Sequence, residues 1–195
     1  MRKVIINEQL SLDGVMQGPG GPEEDTRGGF QHGGWAMPYF DESMGKAAAE
    51  GMSSGGGILL GRKTYEIFAG YWPHQGDDAP FATFLNTVPK YVASRTLQEP
   101  LEWKNSQLLK GDVAEAVRKL KQEDGGDIVV LGSGELAQTL MEHGLIDVYD
   151  LWVVPIALGT GKRLFRGEGP KIPLRLVKSE TSTTGVAMLT YEPDG

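Results

Sequence analysis

Twice in this chain a short apolar run ends in glycine and opens directly into a helix-forming segment, and no other feature constrains the fold as much. Ile58-Leu59-Leu60 runs into Gly61-Arg62-Lys63-Thr64-Tyr65-Glu66, and Ile128-Val129-Val130-Leu131 runs into Gly132-Ser133-Gly134-Glu135-Leu136-Ala137. A buried strand that hands over to a helix needs neighbouring strands and a covering helix layer, so the chain reads as α/β. Such a junction also aims the unpaired N–H groups of the helix's first turn, and the positive end of its dipole, at one point in space. Anions dock at such points.

The second junction spells GxGxxA, a weak signal in a chain with 28 glycines among 195 residues. Its two readings, a phosphate cradle and an ordinary tight turn, stand level on the motif alone. A Rossmann unit would open its domain and carry an acid at the end of a second strand about 20 residues further on. Here Asp147 and Asp150 come before a strand, and most of the chain precedes the motif. The Rossmann version is therefore disfavoured. The first junction puts Arg62 and Lys63 at a helix start, against the dipole. A bound anion would resolve that conflict, although solvation is the commoner reason for any single surface cation. Lys90-Tyr91-Val92-Ala93-Ser94-Arg95-Thr96 repeats the theme, a strand ending in a hydroxyl and a cation.

The remaining pattern fills in the layers. Residues 3–10 read as a strand, and Gln17 to about Gly34 as a long Gly/Pro-rich loop, either an active-site cover or a surface insertion. Residues 41–53 read as a helix capped by Asp41 or Ser43 and broken by Gly55 to Gly57. A helix over 112–124 shows Val113, Val117 and Leu120 on one face; a strand over 127–131 leads into a helix over 135–143. Tyr149 to Pro155 reads as a strand, and 173–181 with 185–192 as a hairpin turning at Thr183-Thr184-Gly185. Strands alternating with helices predict one domain over residues 1–195, with a central, mostly parallel sheet flanked by helices and a C-terminal antiparallel hairpin.

Charge and composition narrow the partners. A net charge of −7 argues against nucleic acid or an anionic membrane as a general partner. The absence of cysteine removes disulfides, thiolate catalysis and cysteine-based zinc sites, and fits a reducing cytoplasm. Neither a signal peptide nor a membrane-spanning helix can be drawn. His32, His74 and His143 are scattered, so no metal site is expected.

Blocks in a fixed order carry a family resemblance. They are Ser11-Leu12-Asp13-Gly14, Leu60-Gly61-Arg62-Lys63-Thr64-Tyr65-Glu66, Val92-Ala93-Ser94-Arg95, Ile128 to Leu136, and Pro155-Ile156-Ala157-Leu158-Gly159-Thr160-Gly161-Lys162-Arg163-Leu164-Phe165. The chain resembles the dihydrofolate reductase-like superfamily. Within it, the chain is most similar to stand-alone relatives of the C-terminal reductase domain of the bifunctional riboflavin-biosynthesis deaminase-reductase. The resemblance implies an NADPH-dependent reductase of a flat heterocycle, a pyrimidine or pteridine, working without flavin or metal, and a homodimer. By the same resemblance Gly61, Arg62, Lys63, Thr64, Ser94 and Arg95 hold the pyrophosphate and 2′-phosphate of NADPH, and Gly132, Ser133, Gly134, Glu135 and Leu136 hold its pyrophosphate and ribose. Arginine beside a hydroxyl suits a 2′-phosphate dianion that NADH lacks.

The catalytic candidates each have a structural alternative. Asp41 is placed for substrate binding or as an N-cap, and Asp13 for shaping the substrate side or as a turn residue before Gly14. Trp35 is placed to stack on the heterocycle or to pack under the loop. The resemblance breaks at the substrate's phosphate: the riboflavin enzyme binds it with basic residues near the loop and first helix, yet residues 17–45 hold only Arg27 as a cation. Two other readings stay open, a non-catalytic nucleotide-binding module and a reductase of an unrelated carbonyl or azo compound.

Overall fold

The computed structural model describes residues 1–76, 80–167 and 169–195. Eight strands form one sheet: β1 (Val4–Ser11), β2 (Gly55–Gly61), β3 (Lys90–Ala93), β4 (Ser106–Leu109), β5 (Asp127–Leu131), β6 (Val148–Val154), β7 (Leu174–Thr181) and β8 (Ala187–Pro193). Their order across the sheet is β4-β3-β2-β5-β1-β6-β8-β7. The first six strands of that row run parallel; β8 pairs antiparallel with both β6 and β7, so the expected hairpin forms the far edge. The helices are α1 (Glu42–Ser54), α2 (Arg62–Tyr71), α3 (Pro80–Thr87), α4 (Val113–Gln122) and α5 (Gly134–Glu142).

Alternation along the strands splits the core into two faces. Val4, Ile6, Leu59, Ile128 and Val130 point toward α4 and α5, whose Val117, Leu120, Leu136 and Leu140 close over them. Each such side chain, fully buried, contributes roughly 1.5–3 kcal/mol. On the other face Ile58, Leu60 and Val92 pack under α2 and α3. Met44 of α1 covers Trp152, Val154 and Met188 there. Glu8 shares the first face with Ile6 and Leu10, is 5% exposed, and its Oε1 has no partner. Burial, with Glu24 nearby, pushes its carboxyl well above the usual range.

Three details differ from the sequence reading. Gly55, Gly56 and Gly57 do not merely break α1; they begin β2, where a Cβ on Gly56 would lie 2.5 Å from the Gly126 nitrogen. Glycine lets β2 lie against the backbone entering β5. The short helix α3 and the four-residue edge strand β4 add a helix and a strand to the expected order.

The strand order reverses its sense between β2 and β5. From β2 the chain builds outward through β3 and β4, then returns to insert β5 beside β2 and β6 beyond β1. In open α/β sheets the crevice outside the carboxyl ends of the strands at such a switch point is where ligands bind.

Candidate functional site

At that switch point the two glycine junctions meet. The Gly61 amide donates to Ser133 Oγ at 2.8 Å, and Ser133 Oγ donates to the Leu131 carbonyl at 3.0 Å. Gly132 takes φ +54°, and a Cβ there would lie 3.2 Å from Thr64 Oγ1. The starts of α2 and α5 are thereby held side by side, from opposite faces of the sheet. Ser133, at φ +66°, sits in the left-handed region that non-glycine residues seldom adopt. Neither helix has a side-chain cap. A Cβ on Gly134 would come within 3.2 Å of Met16 Sδ, so glycine keeps the mouth of α5 open.

The third predicted block joins them. Arg62 Nη1 donates to Thr96 Oγ1 at 2.6 Å, linking the first turn of α2 to the loop after β3. Ser94 Oγ accepts the amides of Thr96 and Leu97 at 3.2 and 3.0 Å, and Arg95 beside it is exposed. Glu66 accounts for the cations at the helix start, pairing with Arg62 at 2.6 Å and Lys63 at 2.9 Å. Those hydrogen bonds hold its carboxyl below the ordinary value. Glu135, in the first turn of α5, pairs with Arg166, which lowers its carboxyl as well. Gly61 to Thr64, Ser94 and Arg95, and Gly132 to Leu136 thus share one edge of the sheet.

Asp13, Asp41 and Trp35 go elsewhere. Asp13 accepts from Ser11 Oγ at 2.6 Å and from the amides of Leu158 and Gly159 at 3.0 and 2.8 Å, while Arg163 Nε donates to its carbonyl at 2.8 Å. The carboxyl lies far below its ordinary value, first through Ser11 and then through those amides. It is an ionised clamp between the loops after β1 and β6, the turn role of its two readings. Asp41 caps α1 through the Met44 amide at 3.0 Å and holds the hairpin turn through Thr183, whose N and Oγ1 donate at 2.8 and 2.6 Å. Bonds from Ser43 and Thr183 hold its carboxyl below the ordinary value. Trp35 is 6% exposed, donates to the Gln17 carbonyl at 2.8 Å, and packs beneath the loop instead of offering a stacking face.

That loop is folded down. Gln17 Nε2 donates to the carbonyls of Asp25 and Arg27 at 3.1 and 2.9 Å, its Oε1 accepts the Lys162 amide at 3.1 Å, and Phe30 is buried. Gly161, at φ +117°, lies so close that a Cβ would meet Val15 at 2.6 Å.

Beside the crevice, a cavity of about 250 Å³ opens between the sheet and helices α1 and α3. Its floor is one register row across five strands: Leu131, Asn7, Asp150, Thr190 and Lys178. Asn7 Nδ2 donates to Asp150 Oδ2 at 2.6 Å, and Trp152 Nε1 to Asp150 Oδ1 at 3.3 Å. Burial raises the Asp150 carboxyl above its ordinary value, against the pull of those two hydrogen bonds. Sequence reasoning set this acid before a strand and outside the site; it lies within β6. Its signal was a lone carboxylate inside the otherwise apolar run Val148-Tyr149-Asp150-Leu151-Trp152.

Among the described residues there is no group of three or more His, Cys, Asp or Glu side chains placed to hold a metal, and no helix long and apolar enough to cross a membrane. Comparison with known proteins finds the RibD C-terminal domain over residues 2–188. The uncharacterized protein YyaP of Bacillus subtilis is 28% identical over 197 residues, covering all of this chain and 96% of its own. A crystal structure from Shewanella sp. PV-4, whose assignment to riboflavin biosynthesis is itself provisional, superposes with a TM-score of 0.74 at 23% identity over the whole of both chains. A pyrimidine reductase-like protein of Corynebacterium diphtheriae gives 0.64 at 11% identity, covering all of this chain and 92% of that one.

Proposed function

The chain belongs to the RibD C-terminal domain family, and from that premise we propose that it is an NADPH-dependent reductase of a flat, pyrimidine-type heterocycle. The observation that carries the reading is the meeting of two uncapped helix starts at the switch point, tied by the Gly61–Ser133 hydrogen bond and opening beside a cavity. The pyrophosphate would take the free amides at the starts of α2 and α5, with Gly132 and Gly134 leaving room for it. Arg95 and Ser94, with Arg62, would hold the 2′-phosphate. The nicotinamide supplies a hydride when bound.

The chain's own residues do the rest. Leu131, the last residue before the glycine turn, is both the end of the crevice and one end of the cavity floor, so a ring lying on that floor reaches the cofactor edge. The apolar side chains of Phe81, Phe84 and Met52 keep water from the ring. Asp13 and Gly161 would hold the loops after β1 and β6 in place beside the site.

Titration with NADPH and NADH, followed by calorimetry, tests the cofactor. NADPH binds more tightly, and Arg95→Ala lowers its affinity about tenfold while leaving NADH unchanged. Equal affinity of the two for the wild-type protein overturns the roles given to Ser94 and Arg95. Turnover of an aminopyrimidine with oxidation of NADPH, read at the cofactor's absorbance, tests the reductase assignment.

A further inference from the structure

The cavity floor divides a ligand's chemistry by position. At the crevice end the row begins with Leu131; at the far end it finishes with Asp150, Thr190 and Lys178. Strands lie about 4.8 Å apart, so Asp150, two strands from Leu131, sits roughly 10 Å along the floor. That span fits a substituted or fused six-membered ring lying flat, with one edge at the cofactor and the other at the carboxylate.

Charge around that far edge is one-sided. Glu50 from α1 and Glu180 from β7 line the cavity with Asp150, against the single cation Lys178, which pairs with Glu180 at 2.7 Å. Asn7 donates its amide to one Asp150 oxygen and the Trp152 indole donates to the other, yet each carboxylate oxygen can accept a further bond. Asp150 lines the cavity, and among the described residues the cation beside it, Lys178, is paired with Glu180, so none is left free for a phosphate.

We propose that Asp150 is the specificity-determining group of this cavity, accepting the N–H-bearing edge of an uncharged or cationic amino-pyrimidine ring, and that the cavity rejects phosphorylated rings. The proposal rests on reading the cavity as the substrate site. Asn7 is the positioning residue, holding the carboxylate in the plane of the ring. The carboxyl's raised titration adds a pH signature: binding weakens as acidification protonates Asp150, with Glu50, Glu180 and Lys178 the other charges facing it.

The test is calorimetric titration of the full chain, with and without NADPH, using 2,4-diaminopyrimidine, 2,4-dimethylpyrimidine and uridine 5′-monophosphate. Diaminopyrimidine binds at least about tenfold more tightly than either comparator, and Asp150→Asn weakens it about ten- to a hundredfold while the unfolding midpoint and NADPH affinity hold. Tighter binding of the monophosphate, or equal affinity of wild type and Asp150→Asn for diaminopyrimidine, overturns the proposal. The wild-type pH series needs no variant: a binding curve unchanged through the carboxylate range also overturns it. Diaminopyrimidine selected by Asp150 in a protein that binds no NADPH overturns the reductase reading and leaves this one standing.

Discussion

Among the described residues two kinds of helix start are present. α1 and α4 begin on aspartates whose side chains close the first turn: Asp41 accepts the Met44 amide at 3.0 Å, and Asp112 accepts the Glu115 amide at 2.8 Å. α2 and α5 begin on Gly61 and Ser133 with no cap, and they lie together at the switch point of the sheet. Good caps are plainly within this sequence's means. The two open starts are therefore a property of place: no side chain caps the helices that begin at the switch point, and aspartates cap those that begin elsewhere.

The largest effect should come from closing an open start. Gly134→Asp puts a carboxylate in the first turn of α5, which suits the dipole but repels a pyrophosphate. NADPH affinity falls about 100-fold by calorimetry, while the unfolding midpoint falls only modestly because the flexible Met16 side chain must shift to admit a Cβ; unchanged affinity would break the comparison. The effect of the cofactor itself is of the same size. NADPH at 100 times its dissociation constant stabilises the fold by about 2.7 kcal/mol. Hydrogen exchange should slow at the first-turn amides of α2 and α5, while those of α1 and α4 change only with global stability.

Removing a cap is a smaller and different loss. Asp112→Ala costs about 1 kcal/mol of stability in chemical unfolding and leaves NADPH affinity within about twofold. Asp41→Ala lowers the midpoint further than Asp112→Ala, because Asp41 also holds Thr183 of the hairpin turn. The sign with pH follows from its lowered carboxyl. Asp41's contribution is full above the unfolded value, about 3.9, and fades as pH falls toward the folded one. Asp41→Asn should therefore flatten part of the acid limb of the stability curve, the smallest of these effects.

How much of this was legible in the sequence depended on whether the cause was local. The β5 strand was readable to the residue and α5 to within one, because a buried run, a glycine turn and a helical period adjoin there. Asp41 was readable as a cap for the same reason. α3 escaped because Phe81, Phe84 and Leu85 follow a short helix with no long period to detect, and β4 because four residues at an edge carry almost no pattern. The three blocks at the switch point were visible separately; what joined them was sheet order. Asp150 escaped for the strongest form of that reason: its partner Asn7 is 143 residues away, and only the pairing of β1 with β6 makes the two one group.

The first strand of this domain ends up in the middle of its sheet. β1 pairs with β5 on one side and β6 on the other, so its partners begin at Asp127 and Val148. On a ribosome adding 5–20 residues per second, β1 waits roughly 6–25 s for its first neighbour. Throughout that interval Val4, Ile6 and Leu10, all buried in the finished protein, have no sheet to enter. Folding of this domain is a late event that closes around its first strand, and a truncation before residue 127 leaves a nascent polypeptide with the centre of the sheet exposed, a substrate for chaperones and proteases.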